Sequence, residues 1–105
     1  MKYGLPDSAL QSILDVFRRF PVVDKVVLFG SRAKGNFSNG SDIDIAVFGK
    51  YFNSQDLLLL KVRLDDLNLI YKIDPVLYST IKNPEFKDHI DRVGIKIYQK
   101  LGTVI

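Results

Sequence analysis

The chain contains no cysteine, which excludes a disulfide framework, a thiolate zinc site and a thiol nucleophile. No stretch approaches the ~20 apolar residues of a membrane span, and the opening Met1-Lys2-Tyr3-Gly4-Leu5-Pro6-Asp7 lacks the apolar core of a signal peptide. A cytoplasmic location is the expectation. The net charge of +3 comes with no dense Lys/Arg block, so an ordinary solvated surface is expected and direct nucleic-acid binding is not. Internal repeats, low-complexity segments and interdomain linkers are also missing. The pattern G-x-x-x-x-G-K-[ST] does not occur, which excludes a Walker phosphate loop.

What remains is globular in composition. Hydrophobic residues make up 47% and charged residues 26% of 105 residues, enough for one core and too little for two, so residues 1–105 are expected to form a single domain. The informative stretch is 29–47. An apolar strand runs into Gly30-Ser31, a polar loop punctuated by glycine follows, and a second apolar strand carries Asp42 and Asp44 at alternate positions. Successive strand side chains point to opposite faces, so these carboxylates share one face, roughly 6 to 7 Å apart along the backbone, with Ile43, Ile45 and Val47 on the other. Carboxylates so placed can converge on hard divalent cations. A turn that opens a helix just after a strand offers N–H groups and a hydroxyl to an anion. A lone Gly-Ser is usually only a cap, and a lone D-x-D only a solvated edge. Joined as G-S-x10-D-x-D and flanked by buried strands they are far more specific, because charge inside an apolar strand needs a compensating metal or hydrogen bonds.

Around this stretch the hydrophobic spacing predicts a helix over 8–19, with Ser8 and Gln11 in capping-box spacing, and a strand over 25–29 covered on both faces. A short helical turn is expected at 31–34 and a second strand at 42–48, paired with the first as a hairpin. Asn53 is expected to cap a helix over about 54–68 whose apolar face is unusually wide, fitting a crossover helix or a partner surface on its outer edge. A third strand over 71–78 should place Asp74, Val76 and Tyr78 on one face, and Pro75 assigns it to a sheet edge or an irregularity. Asn83-Pro84-Glu85 opens a last helix stopped near Gly94, followed by a strand over 95–99. His89 reads as a surface histidine, and the tyrosines as packing residues with wet hydroxyls.

Gly30-Ser31, the continuation Arg32-Ala33-Lys34-Gly35 and Ser41-Asp42-Ile43-Asp44 resemble the signature of the DNA polymerase β-like nucleotidyltransferase superfamily. The small size is similar to its minimal branch, the MntA-type antitoxins encoded beside HEPN-domain toxins. That resemblance implies an α+β nucleotidyltransferase fold, a small mixed or antiparallel sheet of about four strands flanked by helices. It also implies two Mg2+ ions held by Asp42, Asp44 and a third carboxylate, for which Asp74 is the candidate, with an Asp-Pro turn as the alternative role for Asp74. Gly30 and Ser31 would receive the triphosphate, and Arg32 and Lys34 the leaving pyrophosphate unless they face solvent. Lys34, where many relatives carry arginine, would act as a point charge rather than a fork. By the same resemblance the substrate is ATP, and the product is an AMP group on a tyrosine of a HEPN toxin. A chain this short is expected to need its partner for specificity, as a homo- or hetero-oligomer. Two rivals stay open: an antitoxin that acts by binding alone, and a transferase for a small-molecule acceptor working with a separate helical subunit.

Overall fold

The structure, a computed structural model, describes residues 1–102. In chain order it comprises α1 (Asp7–Arg18), β1 (Lys25–Phe29), α2 (Ser31–Lys34), β2 (Ile43–Phe48), α3 (Ser54–Asp65), β3 (Ile73–Leu77), α4 (Pro84–Val93) and β4 (Ile95–Gln99), with a 3-10 turn at Tyr78–Thr80. The strands form one sheet in the order β3-β2-β1-β4. β1 runs antiparallel to both of its neighbours, while β2 and β3 are parallel, so the sheet is mixed. That follows from the connections. The loop 30–42 reverses the chain into a hairpin, whereas parallel strands need a crossover, which α3 provides.

The central strand β1 is apolar on both sides because both sides are covered. Val26 and Leu28 join Ile43, Ile45, Val47 and Leu77 against Ile13 and Phe17 of α1 and Leu60 and Leu64 of α3. Val27 and Phe29 turn the other way with Ala46, under Ile90 of α4. α3 packs through one stripe and leaves Leu58, Leu59 and Val62 at 66%, 44% and 48% exposure. It is a crossover helix with an uncovered outer edge. Pro75 lies in β3, the edge strand, as its missing N–H requires.

Some local expectations differ from the structure. α1 starts at Asp7 behind Pro6 and has no side-chain cap. Ser8 is therefore inside the first turn, where its carbonyl accepts from Ser12 Oγ at 2.9 Å, and Asp7 places a carboxylate at the positive end of the helix. α3 stops at Asp65 rather than near 68, and Asn68 adopts a left-handed φ of 54°, a conformation that asparagine tolerates better than most residues. Asn53 does form the expected cap, a full capping box with Asp56. Among the described residues no helix is long and apolar enough to cross a membrane.

Candidate active site

β1 ends at Phe29 and passes the chain to Gly30, whose φ of 75° and ψ of −157° suit glycine alone. A Cβ at this position would stand 2.5 Å from Asp44 Oδ2. Backbone and carboxylate therefore impose the same choice of residue. Ser31 then begins α2, which Gly35 ends at a φ of 86°.

Register brings the acidic residues together. Asp44 pairs with Phe29 across the hairpin and with Asp74 across the parallel pair. Asp42 stands exposed just before β2, whereas Asp44 and Asp74 are half-buried. The Asp44 carboxyl is held above the usual aspartate range, first by burial and then by the negative charges of Asp74 and Asp42, with His89 acting in the opposite direction. Asp74 and Asp42 thus both bear on the Asp44 carboxyl. Among the described residues no three His, Cys, Asp or Glu side chains have the spacing of a ready-made metal cage. The donor set still fits a hard divalent cation: its donors are all oxygen, its members repel one another, and Gly30 leaves the Asp44 carboxylate uncovered.

His89 is half-buried rather than simply superficial, edge-on to Phe29 with ring centroids 6.2 Å apart. Sequence reasoning missed this neighbour of Asp44. The available signal was its place three residues after Phe86, at the margin of the stripe that α4 buries. Lys34 is exposed. Arg32 differs most from expectation. Its guanidinium is buried and bonded to main-chain carbonyls, so it does not face the cleft as a free cation. Tyr78 donates its hydroxyl hydrogen to Asp91 at 2.9 Å. A groove of about 550 Å3 bordered by Lys25, Phe48, Tyr78, Asp91 and Lys96 lies at the other end of these strands and includes none of the three aspartates.

Comparison with known proteins gives the family and the fold. Residues 11–101 match the family described as polymerase beta, nucleotidyltransferase. A candidate protein adenylyltransferase of Methanocaldococcus jannaschii is 27% identical over 79 residues, covering 71% of this chain and 79% of that protein. The fold is similar to a chain of a toxin–antitoxin crystal structure with AMP-PNP, at a TM-score of 0.69 and 22% identity over 88% of this chain and 74% of that one. It is also similar to a chain of the complex between tri-AMPylated Shewanella oneidensis HEPN toxin and MNT antitoxin, with a TM-score of 0.64 and 20% identity over 89% and 71% of the two chains. With the family match spanning the sheet, the Gly30 turn and every candidate carboxylate, the chain belongs to the polymerase beta nucleotidyltransferases.

Proposed function

We propose that this nucleotidyltransferase moves AMP from ATP to a tyrosine hydroxyl of a HEPN-type toxin and so acts as its antitoxin. The observation that carries the reading is the rung Asp44–Asp74, placed by parallel register beside a glycine whose missing side chain exposes the Asp44 carboxylate. The toxin–antitoxin neighbours, one solved with AMP-PNP and one with a tri-AMPylated HEPN toxin, support the choice of nucleotide and partner.

In this reading Asp42, Asp44 and Asp74 would hold Mg2+, which when bound would offset triphosphate charge and stabilise the attacking and leaving oxygens. Gly30 permits close approach of a phosphate, and the Ser31 hydroxyl and the first N–H groups of α2 donate to it. Asp74, on the edge strand β3, would assist deprotonation of the attacking hydroxyl. The hydroxyl oxygen bonds to the α-phosphorus, the bond from that phosphorus to the bridging oxygen breaks, and pyrophosphate leaves. Lys34 is the exposed cation of α2, and it meets the departing charge. Arg32 has no such part, its donors being engaged elsewhere.

Incubation of the protein with labelled ATP and Mg2+, with and without a HEPN partner, tests the proposal. Label should appear on the partner and should vanish with D42N/D44N. Neutralisation of the toxin that survives this double substitution would assign the antitoxin effect to binding alone. Label on a small molecule in place of the partner would overturn the choice of acceptor.

A further inference from the structure

Arg32 is 2% exposed and is the one buried polar or charged side chain among the described residues. No carboxylate pairs with it there. Its Nε and Nη2 donate to the carbonyl of Ser41 at 3.1 and 2.9 Å, and its Nη1 donates to the carbonyl of Tyr3 at 2.8 Å. The guanidinium carbon also lies 5.2 Å from the Phe37 ring centroid and 5.1 Å from that of Tyr71. A cation enclosed by neutral acceptors and aromatic faces is an expensive way to tie two loops together. What it ties gives it a purpose. Ser41 immediately precedes Asp42, and the bidentate grip fixes the carbonyl from which the chain enters β2.

The other end of the clamp is also built. Lys2 and Leu5 exchange main-chain hydrogen bonds at 3.2 and 2.8 Å, and Leu5 is sunk in the core at 1% exposure. Between them Tyr3 and Gly4 take positive φ values of 57° and 75°, which turn the Tyr3 carbonyl toward Arg32. A Cβ on Gly4 would come within 2.3 Å of Phe37 Cε2 and 2.8 Å of Arg32 Nη1.

We propose that Arg32 is a positioning residue, braced by the hook of residues 2–5, which sets the spacing of Asp42 from Asp44 for cation binding. This rests on the reading of those aspartates as metal ligands. The side chain touches no substrate; it acts through the Ser41 carbonyl.

Mn2+ binding, followed by electron paramagnetic resonance well below the unfolding temperature, tests it apart from activity. The wild type should bind Mn2+, and D44N should not. Arg32→Lys keeps the charge and loses the fork, and Gly4→Ala disturbs the brace from the far end of the clamp. Each should fold and bind Mn2+ about 10- to 100-fold more weakly, as loss of an outer-shell support does. Leu64→Ala, destabilised from the opposite sheet face, should bind as the wild type does. Wild-type affinity in both R32K and G4A, or an equal loss in L64A, would overturn the positioning role. If Arg32→Lys fails to fold, Gly4→Ala decides alone. Absence of Mn2+ binding by the wild type would remove the ligand reading itself, a different failure.

Discussion

Gly30 and Asp44 are in such close register that one added methyl group at residue 30 would stand 2.5 Å from the Asp44 carboxylate. Gly30→Ala should therefore displace the carboxylate and strain the backbone together. The strain alone costs about 1–3 kcal/mol, the usual penalty for holding a residue with a Cβ in a backbone conformation that only glycine enters readily. Urea denaturation should show that loss, and AMP transfer should fall at least ~100-fold, as when a reacting group is misplaced by about 1 Å.

Asp44 gives a pH signature. Its folded-state carboxyl is raised above the unfolded value, so the stability it contributes is fully present below the unfolded pKa and is lost as pH rises through the folded pKa. In metal-free protein at neutral pH, Asp44→Asn should melt higher than the wild type. The gap should close as pH falls toward 4. Each kcal/mol recovered corresponds to about 4–8 °C in a domain of this size, read by thermal melts across pH. Mg2+ should raise the melting temperature of the wild type and leave that of the variant unchanged.

The two faces of α3 should respond differently to truncation. Leu60, with no exposed surface, should cost about 2–5 kcal/mol as Leu60→Ala, whereas Leu58→Ala on the outer edge should stay within ~0.5 kcal/mol. Chemical denaturation of both variants separates the packed stripe from the uncovered one. A large loss at Leu58 would place it in a buried contact.

The capping box is testable in isolation. Asn53 Oδ1 accepts from Asp56 N at 3.0 Å, and Asp56 Oδ2 accepts from Asn53 N at 3.0 Å. Asn53→Ala should cost about 1 kcal/mol in urea denaturation, with Mn2+ affinity retained.

Local chemistry made much of this legible beforehand. Alternation in 42–48 placed Asp44 opposite Ile43 and Ile45, Pro75 marked an edge, and Asn53 and Asn83 marked helix starts, because each signal lies within a few residues of its effect. Arg32 was not legible. Its burial depends on Tyr3, 29 positions earlier in the chain, and a long cation in a polar loop gives no local sign of such a partner. His89 gave only a faint sign, its place three residues after Phe86, because its contact with Phe29 joins segments far apart in the chain. Ser8 misled because Pro6 and Asp7 start the helix one step sooner.

The outer edge of β3 limits how copies of the molecule associate. The Lys72 carbonyl accepts from Ile43 N, so by strand alternation residue 74 also points its main-chain groups inward and residue 75 outward. The outward position is occupied by proline, so a strand arriving from another molecule would meet a rung with no donor. Side-by-side pairing with such a strand is one hydrogen bond poorer on the flank where Asp74 sits, which blunts that border as a template for sheet growth.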